Sequence, residues 1–201
     1  MDFLADFFVQ NFAGCVWLAV ILVAMCPTLE SKIAIPLAMN TAMWGSSTLS
    51  PFIAFLLASL GSILPSYLII LLSRKCKNKA TGFISSGIFR KYTIKGSSFE
   101  NKSSEIKKYL CLAGFVSIPL PLTGVWTGSL IAGMTNLKLN YAFLSISIGG
   151  LISAGAMTLL CTIFTNSISY IFIISLIIVI LFLFVDLFLS IYKHKKIKST
   201  Q

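Results

Sequence analysis

The chain has 201 residues, of which 57% are hydrophobic and only 11% charged, with a formal net charge of +10. Its mean hydropathy is +0.92. A water-soluble globule cannot cover that much apolar side chain, so the composition reads as an all-α integral membrane protein, with room for one small membrane domain and no separate soluble one.

In chain order, residues 1–12 set Phe3, Leu4, Phe7, Phe8 and Phe12 among Asp2, Asp6, Gln10 and Asn11, an amphipathic segment suited to the membrane interface. Those two acids stand where a secretory signal would carry basic residues, so no signal is expected. From 13 to 29 the chain is apolar, about 25 Å of helix against a hydrocarbon core about 30 Å thick. The piece 33–44 is shorter still, and Pro27 and Pro36 interrupt the run, so 13–44 reads as a re-entrant hairpin. Ser50-Pro51 starts a transmembrane helix over 51–72, with Pro51 at a first-turn position where its missing N–H costs little. A basic loop, 73–108, follows. Within it, 82–92 alternates apolar and basic groups and reads either as a strip on an anionic leaflet or as a solvated loop. Residues 109–118 are apolar until Pro119 and Pro121 stop them, and 123–134 resume, giving a second hairpin over 109–137. Two transmembrane helices, 139–163 and 168–191, flank a polar turn at Thr165-Asn166-Ser167, and 192–201 form a basic tail.

Charge placement sets the orientation. Ten of the sixteen basic residues lie between Arg74 and Lys108 and four between Lys193 and Lys198, each group abutting an apolar span. That is the positive-inside pattern of a multi-pass protein of the cell membrane and not a folded nucleic-acid-binding module, so no nucleic acid is expected as a partner. Loop 73–108 and the tail are then cytoplasmic. Parity puts the N-terminus and the first hairpin outside, and the two hairpins enter from opposite faces. The five cysteines share no metal-type spacing and read as reduced packing residues; no metal or cofactor is expected.

A shift of 88 residues lays Phe55-Leu56, Ser59, Gly61 and Leu71-Leu72 on Phe143-Leu144, Ser147, Gly149 and Leu159-Leu160, in each half after a proline-broken hairpin. Equivalent segments with opposite entry sides make an inverted repeat of hairpin plus transmembrane helix, with one additional C-terminal helix. Small residues within the spans suit close helix contacts, inside one chain or between the chains of a homo-oligomer.

The string Ile118-Pro119-Leu120-Pro121-Leu122-Thr123-Gly124-Val125-Trp126-Thr127-Gly128 resembles the signature of the small multidrug export protein family. Glu30-Ser31-Lys32-Ile33-Ala34-Ile35-Pro36 resembles that family's first motif, with Lys32 where an arginine is expected. The family is similar in plan to the DedA-type (VTT domain) membrane proteins. The resemblance implies two opposed re-entrant hairpins, and either movement of polyprenyl phosphate lipid carriers or coupling to the proton gradient. The arginines typical of DedA proteins are missing from the second hairpin.

The same residues carry chemistry of their own. Glu30 is a carboxylate at membrane depth, where it has to be paired, protonated or watered. Burial favours its neutral form and nearby Lys32 its charged form, so it reads either as a proton carrier or as half of a structural ion pair. Lys32 offers a point charge to an anionic headgroup. The second hairpin offers geometry: Pro119 and Pro121 expose carbonyls, Thr123, Gly124, Thr127 and Gly128 supply hydroxyls and close backbone approach, and the resuming half-helix points free N–H groups inward, where an anion would sit facing Glu30 and Lys32. Trp126 reads as packing or an interface anchor, Asp186 as a group reaching the headgroups, and His194 as solvated. The leading expectation is a transporter or lipid-carrier flippase with membrane lipids, an amphipathic anion and protons as partners. The alternative is a membrane factor that binds lipid or a partner protein without transport. An enzyme is not expected, since the single histidine, unpaired acids and unspaced cysteines make no acid–base or metal constellation.

Overall fold

The structure of the protein, a computed structural model, describes residues 12, 14–84, 105–119, 123–135, 137–178, 180, 181 and 184, and among these only helices and turns occur. Expectations for 1–11, for the middle of the basic loop, for Pro121, Asp186 and His194, and for the basic tail fall outside the described residues.

Helix α1, Val16–Met25, is an apolar run with no proline or glycine. It ends at Cys26 (φ −71°, ψ 136°), held extended because the ring of Pro27 excludes the helical region for the residue before it. Helix α2, Glu30–Ala38, then begins and is buried along its whole length. Pro36 was expected to help interrupt this run; instead it lies inside α2, and the interruption is confined to 26–29. The ring removes only the usual N–H partner of the Lys32 carbonyl, and the packing of a fully buried helix outweighs that loss. After Met39 the chain turns into α3, Thr41–Trp44, capped by the Asn40 side chain, which accepts the Ala42 N–H at 3.1 Å. Trp44 fixes this return by donating its indole N–H to the Leu37 carbonyl at 2.8 Å.

Helix α4, Pro51–Ile84, starts at the expected proline and continues past 72 into the lysine-rich stretch, because lysine and arginine are good helix formers. Helix α5 spans Glu105–Ser117, beginning four residues before 109 on an equally helix-favouring polar turn. Helix α6 spans Val125–Met134, with Thr123 and Gly124 as its non-helical lead-in. Helix α7, Leu139–Ile163, has the expected bounds, followed by a 3-10 turn at Thr165–Ser167 and by α8, Ile168–Ile178.

Two stretches, Pro51–Lys75 and Leu139–Ile163, are each 25 residues long and apolar enough to cross a membrane. At 1.5 Å per residue each is about 37 Å long, more than the hydrocarbon core. Their faces are arranged for lipid. Phe52, Leu56, Leu60, Leu64, Leu68 and Leu72 form an exposed ridge at four-residue spacing on α4, while Ala54, Ala58, Ser59, Ser62 and Ser66 are buried. On α7, Tyr141, Leu144, Ile148, Ile152 and Leu159 are exposed, and Ala142, Ser145, Gly149, Gly150, Ser153 and Ala154 are inside. Large apolar groups outside and small or hydroxyl-bearing groups inside reverse the arrangement of a water-soluble helix.

Equivalent contacts recur in the two halves. A Cβ on Gly61 would lie 2.8 Å from both the Ile21 carbonyl and Ala24 of α1; on Gly149 it would lie 2.5 Å from the Ala113 carbonyl and 2.9 Å from Val116 of α5. Each glycine thus seats positions i and i+3 of the helix that opens its half. The Tyr67 and Phe143 rings meet edge-on with centroids 5.5 Å apart. Under the 88-residue shift that pair corresponds to Gly155 and Phe55, and Phe55 lies 3.9 Å from where a Gly155 Cβ would stand. Helices α4 and α7 therefore cross antiparallel. Helix α2 packs on both of them, and so does α6. One apolar core gathers α1, α2, α3, Ala54 and Ala58 of α4, and Ala154, Met157 and Cys161 of α7; the other gathers Ile70 of α4 with α5, α6 and Ala142 and Ile146 of α7. The α5–α6 pair returns to the end from which it leaves: the Lys138 N–H donates to the Tyr109 hydroxyl at 3.0 Å, and Arg74 donates to the Leu137 carbonyl.

Candidate functional site

The two interruptions meet between those cores. Glu30 opens α2 with φ +48°, the one positive φ outside glycine among the described residues. This conformation is uncommon for a residue with a side chain and costs of the order of 1 kcal/mol or more. It turns the carboxylate toward the start of α6, where one oxygen, Oε1, accepts the Trp126 backbone N–H at 3.1 Å. The other, Oε2, pairs with Lys32 Nζ at 3.3 Å. Lys32 also donates to the Thr123 carbonyl at 3.4 Å. Glu30 is 5% exposed and Lys32 8%, so the pair sits out of solvent, where charges are sustained only by partners.

Gly124 is required at this contact, because a Cβ there would fall within the Glu30 carboxylate. The Gly124 N–H donates to the Thr127 hydroxyl at 3.0 Å, which closes the first turn of α6. The Thr123 hydroxyl donates to the Ile118 carbonyl at 2.9 Å, which folds the break back on the end of α5. Free amides and the positive end of its dipole make the start of α6 a seat for an anion, and the carboxylate from the other half fills it. In this structure the Glu30 carboxylate takes the place at the start of α6 where the sequence points to an anion facing Glu30 and Lys32.

Of the expected site residues, Glu30, Lys32, Thr123, Gly124 and Thr127 come together here. Pro36 is buried in α2, well under two turns beyond Glu30. Pro119 is exposed in the break, and Pro121 lies outside the described residues. Gly128 serves packing: a Cβ there would lie 2.5 Å from Val116, so this glycine lets α6 close on α5. The contribution of Trp126 is its backbone amide, which has no signature in a sequence because almost every residue carries one. The available signal was the position, the first turn of a helix resuming after a proline break.

The arrangement defines a helical membrane protein whose buried ion pair bridges two interrupted helix pairs. A family model described as "Putative small multi-drug export protein" matches residues 30–156, well over half of the chain, and the chain belongs to that family. The matched stretch begins at Glu30 and contains every residue of the site just described. Searches among curated proteins and among solved structures found no match.

Proposed function

We propose that the protein is a proton-coupled secondary transporter or lipid-carrier flippase of the cytoplasmic membrane, and not an enzyme, which carries an amphipathic anion, polyprenyl phosphate or a smaller amphipathic compound, through the site between the two breaks. In this reading the α1–α2 and α5–α6 pairs are re-entrant hairpins that enter from opposite faces as an inverted repeat. The end bearing Arg74, Lys75 and Lys138 faces the cytoplasm. The equivalent seats of Gly61 and Gly149 and the return of Lys138 to Tyr109 support this layout.

The observation that carries the function is the Glu30 carboxylate on the Trp126 amide with Lys32 beside it. An ionised Glu30 holds the anion seat and Lys32 together. Protonation removes the charge that binds Glu30 to both and leaves seat and ammonium to an incoming anionic headgroup, so that a proton and the anion are taken up together in one place and move in the same direction. The test is transport of labelled polyprenyl phosphate by the full chain in proteoliposomes, with and without a proton gradient. Glu30→Gln and Lys32→Ala at normal protein levels are expected to cut the rate at least tenfold, and Glu30→Gln to abolish the response to the gradient. Full rates in both variants would remove the site assignment. Binding without net translocation by the unmodified protein would replace the transporter with a lipid-binding membrane factor.

A further inference from the structure

Buried serines of this bundle mostly satisfy their hydroxyls on their own helix: Ser62 donates to the Ala58 carbonyl at 2.8 Å, Ser129 to Val125 at 2.6 Å and Ser145 to Tyr141 at 2.8 Å. Ser59 and Ser153 do not. Each is 3% exposed, and neither Oγ touches solvent or has a hydrogen-bond partner. A helical serine has the carbonyl of the preceding turn within reach, so a hydroxyl left unpaired in a dry seam is a cost without a local cause.

Both residues flank the second break. Ser59 precedes Ile63 by one turn, and Ile63 and Val125, the first residue of α6, both lie against Gly150. Helix α4 runs in the same direction as α6, since Gly133 lies against the Ile70 carbonyl, so one turn back from Ile63 lies just short of the start of α6. Ser153 follows Gly149 by one turn, and Gly149 seats Val116, next to the last residue of α5. Helix α7 runs in the same direction as α5, with the Tyr141 ring against that of Tyr109, so one turn beyond Gly149 is level with the end of α5. The two serines therefore lie on the faces of α4 and α7 that carry Ile63 and Gly149, close to the level at which Lys32 meets Thr123.

We propose that Ser59 and Ser153 line the site in its open state, where they hydrogen-bond the polar head of the occupant or the water that replaces it, and that the structure is the closed state, in which the seam is dry. This rests on the reading of the site between the two breaks as a transport site, but its test measures no transport, so either can fail without the other. In a chain whose native cysteines are replaced by alanine, Ser59→Cys and Ser153→Cys are reconstituted in liposomes. Each is treated with sulfonatoethyl methanethiosulfonate, beside Ala58→Cys and Ala154→Cys, whose native residues are 0% exposed and belong to the core around α2. Labelling at 59 and 153 is expected to be at least tenfold faster than at 58 and 154. In the native background, Ser59→Ala and Ser153→Ala are expected to raise the Tm by about 2 °C, because they delete an unpaired group from the closed state. Labelling that is absent at 59 and 153, or equal at all four positions, overturns the proposal. So does a lowered Tm in both alanine variants, which would mark hydroxyls engaged in the closed state.

Discussion

The helix pairs α1–α2 and α5–α6 are each broken between their members, and the two breaks are built from opposite chemistry. The first spans 26–29 and leads into α2, whose first turn carries Lys32 and the strained Glu30; the second, between Ser117 and Val125, supplies the Thr123 carbonyl and the Gly124 clearance and leads into the Trp126 amide in the first turn of α6. Neither half is a site alone. The buried carboxylate and ammonium of α2 pair with each other, and each takes a further hydrogen bond from the second break, Glu30 from the Trp126 amide and Lys32 to the Thr123 carbonyl, while the positive end of α6 receives its anion from α2. The packing of the two helix pairs thus brings together two surfaces that differ, and the charge of one is held by the backbone of the other.

The largest effect that can break this comparison comes from removing one charge. Lys32→Met leaves Glu30 buried with its amide alone and is expected to cost about 3 kcal/mol or more, whereas the double variant Lys32→Met with Glu30→Leu, which removes both charges, should recover most of that. Thermal melting in detergent measures both, and a double variant as unstable as the single one would show that the charges do not need each other.

The equivalence of the halves is sharpened by Gly61→Ala and Gly149→Ala. Each places a Cβ against a backbone carbonyl, of Ile21 on α1 or Ala113 on α5, so each is expected to cost about 1–3 kcal/mol, with the two values alike. A large cost at one position and none at the other would break the correspondence. The smallest effects separate the two returns. Trp44→Phe deletes a buried hydrogen bond and is expected to cost about 1 kcal/mol, while Tyr109→Phe deletes an exposed one and should cost less. The reverse order in melting temperature would count against the described packing.

Much of the fold was legible because lipid simplifies the reading. The 25 residues of α7 are bounded by polar groups and match their expected limits, Pro51 marks the start of α4, and Thr165–Ser167 the turn. The site was legible where chemistry is costly: an acid and a base in an apolar run point to each other and to a partner. It was not legible where one residue type serves two ends. Gly124 and Gly128 stand four apart in the same motif, yet one admits the Glu30 carboxylate and the other admits Val116, and only the packed helices distinguish them. Pro36 read as a breaker because its ring usually is one, but tertiary burial carried α2 through it.

The central claim, that Glu30 joins the two breaks by filling the seat at the start of α6, is tested most directly by a double-mutant cycle between Glu30 and Gly124. Gly124→Ala drives a methyl into the carboxylate and is expected to lower the melting temperature sharply in the native background. In the Glu30→Ala background it should cost far less, leaving a coupling of about 1 kcal/mol or more between the two positions. Additive costs would mean that the carboxylate and the Gly124 backbone do not meet, and would contradict the account.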